Sequence, residues 1–326
     1  MSTRDAFLAL IENKLIPAER LDDAIKLSGI HPNKTQWLQF VDRLLLWLGA
    51  LALAFSLLFF VAYNWADIGR FAKFGLVEFG LITAVLIAVL SPQKSSLWQP
   101  ALFVAAILTG VLLALYGQTY QTGADPWQLF FSWALLITPW AIVAKLPSLW
   151  VMWLALLNLA TLLHFKTFGS LFGIVLIPLL GGELGLLWCL FGLNIATLVV
   201  WESVSSNFVW LRSRWAPRAI SAAAGISITW LMLLLVTGFD RVSVLVAPLW
   251  LSWAGGVYAY YRFRRQDLFM LAGFAIAVST VILTSVGRAL TESLGEGAFL
   301  LLALLVIGVG GTAAIWLRNI HTQWSQ

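Results

Sequence analysis

The stretch RLLLWLGALALAFSLLFFVAY, residues 43–63, carries no charge from Leu44 to Tyr63 and is apolar on every side of a helix. A helix of about 20 such residues is what a hydrocarbon core about 30 Å thick requires. Runs of the same kind recur at 71–90, 98–116, 128–145, 147–164, 184–203, 218–237, 241–261, 267–286 and 297–317. A β-barrel needs short segments of alternating polarity, and these runs do not alternate. The expected fold class is therefore all-α: a polytopic transmembrane helix bundle of about ten spans.

The rest of the composition agrees with that assignment. Of 326 residues, 61% are hydrophobic and only 11% charged, against about 45–50% and about 25% in soluble domains. Many of the 18 tryptophans stand at the ends of apolar runs, among them Trp65, Trp98, Trp127, Trp150, Trp201, Trp215 and Trp316. That placement predicts an aromatic belt at headgroup level. The net charge of +5 needs no nucleic-acid partner, because basic residues beside spans set topology and attract anionic headgroups. The single cysteine, Cys189, lies inside an apolar run and permits neither a disulfide within the chain nor a cysteine metal cluster.

Residues 1–36 are polar and amphipathic rather than a signal peptide. Phe7, Leu8, Leu10, Ile11 and Leu15 share one helix face, Pro17 suits the first turn of a second helix, and Gly29 ends it. The expectation is a short cytosolic helical hairpin over 1–36, followed by one membrane domain over 37–326. The hairpin is too small to fold well alone, so it packs on the membrane helices or docks a protein partner.

Residues 168–180 are apolar but short, contain Pro178, and run into Gly181, Gly182 and Glu183. Charge counting decides whether they cross. With a cytosolic N-terminus and no crossing at 168–180, the cytosolic side holds 15 Lys and Arg and the outer side five: Arg70, Lys73, Lys166, Arg241 and Arg288. A crossing there would make the count ten against ten. The better topology has both termini in the cytosol and a re-entrant or tilted half-helix at 168–180.

Two polar turns between spans share a pattern, one at Tyr63-Asn64-Trp65-Ala66-Asp67 and one at Tyr116-Gly117-Gln118-Thr119-Tyr120-Gln121. They form a faint internal repeat. With the span closing Phe60-Val61-Ala62-Tyr63-Asn64-Trp65, the hairpin linker Leu15-Ile16-Pro17-Ala18-Glu19-Arg20-Leu21, and Trp127 before Leu129-Phe130-Phe131-Ser132-Trp133, they carry a family likeness. Over roughly residues 1–165 the chain resembles the multi-pass bacterial membrane proteins grouped as domain of unknown function 2157. The resemblance implies a bacterial inner-membrane location and carries over no activity and no catalytic residue.

Three groups of residues are candidates for chemistry. Glu78 lies about 10 Å inside the second span, where a carboxylate must be paired, protonated or facing water. The plainer alternatives are a protonated side chain bonded to a neighbouring helix, or a pair with Lys73. Asn64, Trp65, Asp67 and Arg70 in one turn, and Tyr116, Gln118, Tyr120, Gln121, Asp125 and Trp127 in the other, offer amides, phenols and carboxylates around aromatic platforms. Such a set suits a sugar, a peptide or a lipid headgroup, or else serves only as interface anchors and caps. Gly181, Gly182 and Glu183 suit a broken-helix site, or a plain loop with Glu183 among the headgroups.

Asn158 and Asn194, inside spans, are expected to hydrogen-bond between helices. His164 beside Lys166 reads as an interface residue, and the basic clusters at 212–218 and 262–265 as topogenic, with anionic lipid contact second. Zinc, nucleophile-elbow and phosphate-loop signatures are absent from the sequence, so no catalytic residue, metal or cofactor is expected. The functional expectation is a non-enzymatic scaffold or sensor. The alternatives are a transporter or lipid-handling protein with an outward polar site near Glu78, and an intramembrane enzyme.

Overall fold

Our computed structural model describes residues 10–11, 13, 15–17, 19, 24, 33–92, 95–170, 182–239 and 242–325. Most of the expected hairpin at 1–36, and most of 168–180 with Gly181, lie outside the described residues; residues 33–36 cap and begin the first helix. What is described is all-helical. The helices are α1 (Lys34–Tyr63), α2 (Arg70–Leu90), α3 (Trp98–Tyr120), α4 (Pro126–Ala144), α5 (Pro147–Phe168), α6 (Gly182–Val204), α7 (Trp215–Val236), α8 (Val246–Ala259), α9 (Leu268–Leu294) and α10 (Ala298–Ser325). Nine of them, all but α8, are long and apolar enough to cross a membrane.

A helix occupies each of the ten apolar stretches, and most run past the expected ends. The first begins at Lys34 rather than 43, because Asn33 caps it: its Oδ1 accepts from the Gln36 amide at 2.8 Å, and its own amide donates to Gln36 Oε1 at 3.0 Å. This reciprocal bonding satisfies two otherwise orphaned donors. The stretch 241–261 behaves differently. Its α-helix starts only at Val246, where Pro248 falls in the first turn and needs no amide partner. At 14 residues α8 is short, and a π-helical turn at Tyr260–Arg264 prolongs it.

The chain forms two compact units, Met1–Leu115 and Tyr116–Gln326, with the boundary near the end of α3. In the first unit six of the buried residues are alanines: Ala54, Ala84, Ala88, Ala101, Ala105 and Ala106. Small residues let helix backbones approach, which is how helices gain contact in lipid. Gly80 is the tightest point. A Cβ there would stand 2.8 Å from Leu57 and 3.2 Å from Leu108, whereas Gly75 has open space around it.

The second unit adds paired polar groups to its apolar packing. Between α4 and α5, Lys145 takes a left-handed conformation and Pro147 opens α5, turning the chain in two residues. Trp153 Nε1 there donates to Thr138 Oγ1 at 3.0 Å. Between α5 and α6 the amides of Asn158 and Asn194 bond reciprocally, at 3.3 and 2.6 Å, and Asn194 is buried. A core of Ile228, Leu231, Val246, Trp250, Ala254, Ala277 and Val281 joins α7, α8 and α9. Tyr258, Phe274 and Trp316 stack between α8, α9 and α10, and Arg262 donates to Gln323 near the end of α10.

Candidate functional site

Each sequence-read candidate has a definite place. Glu78 is exposed on α2, and no other described residue bonds or pairs with its side chain. Lys73 is buried and sets its ammonium 3.7 Å from the centre of the Trp65 ring, a cation–π contact that leaves Glu78 aside. In the first polar turn, Asn64 caps α1 by donating from Nδ2 to the Phe60 carbonyl at 2.9 Å, and Arg70 lies over Phe71. Asp67 is exposed.

The second polar turn lies in the other unit. Tyr116 and Tyr120 set their rings 5.0 Å apart, and Gln118 and Gln121 are exposed, Gln121 with a φ of 45°. Asp125 precedes α4 without a side-chain capping bond. Trp127 leaves this turn altogether. It packs edge-on against His164 at 4.9 Å, beside Phe168, and His164 is buried. Trp98 and Trp201, expected in the aromatic belt, are likewise buried.

At the break, Gly169 ends α5 with φ 67° and Gly182 opens α6 with φ 61°. The Gly182 amide donates to the Gly169 carbonyl at 2.6 Å, so the chain returns to where it left. Glu183 is exposed in the first turn of α6, where a carboxylate suits the positive end of the helix dipole.

The densest polar chemistry lies elsewhere, at the end of the second unit where α6 finishes and α7 and α9 begin. Glu202, in the last turn of α6, is 7% exposed at its side chain. Its Oε1 accepts from Arg214 Nη1 and from the Tyr261 hydroxyl, both at 2.9 Å, and its Oε2 accepts from Arg265. Arg265 also donates to the buried Ser205 hydroxyl at 2.6 Å. Asp267 caps α9, its Oδ1 accepting from the Phe269 amide at 3.1 Å. The same carboxylate takes Arg214 at 2.9 Å and Arg218 at 3.1 Å, so Arg214 bridges both acids.

Local structure explains this convergence. Arg214 and Arg218 are four apart at the start of α7 and so share a face. The π-helical turn carries Tyr261, and Arg265 follows it, its amide donating to the Tyr260 carbonyl five residues back. Trp201 Nε1 bonds the Leu211 carbonyl at 3.2 Å, fixing the connection that delivers Arg214.

Electrostatics follow from the packing. Burial pushes the Asp267 carboxyl upward, but hydrogen bonds and charge from Arg218 and Arg214 overrule it and hold the group below its ordinary value. Burial alone would lower Arg214, yet bonds to Glu202 and Asp267 raise it, so it stays charged. Both carboxylates accept from several donors at once, an arrangement suited to locking helix ends together. Among the described residues no group of His, Cys, Asp and Glu is placed to hold a metal.

Neither Glu202 nor Asp267 stood among the sequence candidates. The signal was present: each is the lone carboxylate in a basic connection, Glu202 before Arg212, Arg214 and Arg218, and Asp267 after Arg262, Arg264 and Arg265. Counting only positive charge passes over them.

Two apolar clefts flank α8 beside the network. One, of about 470 Å³, runs between α7, α8 and α9 with Arg218 among its lining residues. The other, of about 570 Å³, lies between α6 and α8 with Glu202 and Tyr261 in its lining.

Helices of this length and apolarity, with charge gathered at their ends, define a multi-pass helical membrane protein. Residues 9–150 match the model of a family described as "Predicted membrane protein (DUF2157)", which bears out the resemblance read from the motifs in that region. No curated protein and no solved structure matches the chain.

Proposed function

We propose that this chain is a non-enzymatic scaffold or sensor of the bacterial cytoplasmic membrane, with both termini cytosolic and the N-terminal segment docking a protein partner. The observation that carries the reading is the closure of the ion network: Glu202 and Asp267 spend their acceptor capacity on Arg214, Arg218, Arg265, Tyr261 and the α9 cap. A transporter needs a polar path to mid-membrane, whereas the clefts of the second unit have walls that are mainly aliphatic and aromatic. The topology is supported by the 15-to-5 charge asymmetry and by the bond between Gly182 and Gly169, which favours no net crossing between them. It puts the network on the cytosolic side, the side of the docking segment.

The test is site-specific photo-crosslinking from residues 1–30 of the full chain in native membranes. A discrete protein adduct is expected. Deleting residues 1–30 should abolish it while the membrane part still accumulates. Protein-dependent cation or proton flux in proteoliposomes, with no adduct, would overturn the reading in favour of transport.

A further inference from the structure

The ion network does not balance. Arg214, Arg218 and Arg265 bring three positive charges, and Glu202 and Asp267 two negative ones, which leaves one positive charge over. The geometry shows where it is expressed. Arg214 reaches both carboxylates, and Arg265 is tied to Glu202 and Ser205. Arg218 meets Asp267 only through Nε and Nη2, with its side chain 38% exposed. Its Nη1 has no hydrogen-bond partner among the described residues, and its guanidinium rests over the Phe269 ring at 5.4 Å. Asp267 thus holds Arg218 in place by one edge and leaves the other edge presented, two donors in a planar fork suited to phosphate.

What lies beside that edge selects the kind of anion. Arg218 stands at one end of the 470 Å³ cleft, whose further walls include Ile226, Trp230, Leu233, Phe274 and Ile276. From Arg218 to Leu233 α7 rises about 22 Å, and from Phe269 to Thr280 α9 rises about 16 Å. The α9 wall matches one leaflet, half of a hydrocarbon core about 30 Å thick, and the α7 wall reaches further by about the depth of a headgroup layer, the level at which Arg218 stands. The starts of α7 and α9 both point at the same end, adding their positive dipole ends to the Arg218 charge. Gly273 keeps the wall open, since nothing lies within 4 Å of where its Cβ would be.

We propose that this cleft holds one acyl chain of an anionic phospholipid, with the lipid phosphate on Arg218. This deepens the sensor reading and rests on it for the role, not for the binding. An unfilled positive charge beside an apolar slot one leaflet deep is met by a molecule carrying both an anion and a hydrocarbon tail. A free phosphate would leave the slot unused, and a zwitterionic lipid would leave the charge uncompensated. Lipid binding at this point would bear on Arg218, and through Asp267 on the starts of α7 and α9.

The experiment is native mass spectrometry of the purified full-length chain, titrated separately with phosphatidylglycerol, phosphatidylethanolamine of the same chains, and glycerol phosphate. The wild type should retain one phosphatidylglycerol at least tenfold more tightly than phosphatidylethanolamine, and should not retain glycerol phosphate. Arg218→Gln should erase the headgroup preference, and Arg218→Lys should keep most of it. Gly273→Leu leaves every charge in place and fills the slot, so it should weaken both lipids together. Equal retention of the two lipids by the wild type overturns the proposal. So does unchanged retention in Gly273→Leu, which holds even where Arg218→Gln proves unstable. The crosslinking readout is independent, so loss of lipid selectivity with a persistent protein adduct removes only this proposal.

Discussion

Glu78 and Glu202 are both glutamates on membrane helices, and they end up in opposite circumstances. Glu78 sits in the middle of α2 in the first unit, exposed and with no described partner for its side chain. Glu202 sits in the last turn of α6 in the second unit, nearly buried, with Arg214, Arg265 and Tyr261 around it. The sequence position that looks more costly is the one the fold leaves alone. Depth along a span says how expensive a charge would be, but it does not say whether the structure has invested in it. Investment shows as partners, and those come from segments 12 and 63 residues away in the chain.

The same substitution at both positions tests that contrast, and the largest effect belongs to Glu202→Gln. It leaves Arg265 and Arg214 short of a counter-charge in a poorly solvated place. A loss of about 3–5 kcal/mol is expected, the usual result of removing one partner from a buried pair. Thermal unfolding of the purified chain in detergent measures it. The acid limb sharpens the result. Because the Asp267 carboxyl is held below its ordinary value of 3.8, its contribution is complete above that pH and lost as the pH falls through the lower, folded-state value. Asp267→Asn should therefore show a flatter acid limb than the wild type. An identical limb would mean that Asp267 does not carry the network.

A middle-sized effect is expected within the second unit at Asn194. Its reciprocal amide pair with Asn158 is neutral and buried, so Asn194→Leu should cost on the order of 1–2 kcal/mol by leaving the Asn158 amide without its partner. A double-mutant cycle with Asn158→Leu reads the coupling directly. Additive losses would show that the pair is not an energetic unit.

The smallest effect is expected at Glu78→Gln, within about 0.5 kcal/mol of the wild type, as for other surface changes. A loss matching that of Glu202→Gln would break the comparison and return Glu78 to the list of functional residues.

Much of the architecture was legible because lipid imposes a blunt rule. A run such as 43–63 must be a helix to satisfy its own backbone, whatever it packs against. The capping pair Asn33 and Gln36 extended the first helix by a signal that hydropathy ignores, and Pro248 delayed α8 for a reason equally local. The site was less legible. Asn158 and Asn194 were readable as interhelical donors because an amide inside a span has few alternatives. Trp127 and His164 were not readable as a pair, since both look like headgroup-level residues until α4 and α5 bring them to 4.9 Å.

By itself the sequence determined that the chain is helical, crosses a membrane many times and gathers its charge at helix ends. Those follow from solvation, which acts on each segment separately. Only the tertiary structure decided that Arg214, Arg218 and Arg265 meet Glu202 and Asp267, and that one positive charge remains at the mouth of an apolar cleft. The network joins residues 202 to 267 across three connections. Its members are chosen by which helix ends pack side by side, and composition does not encode that choice because lipid rewards every apolar face alike.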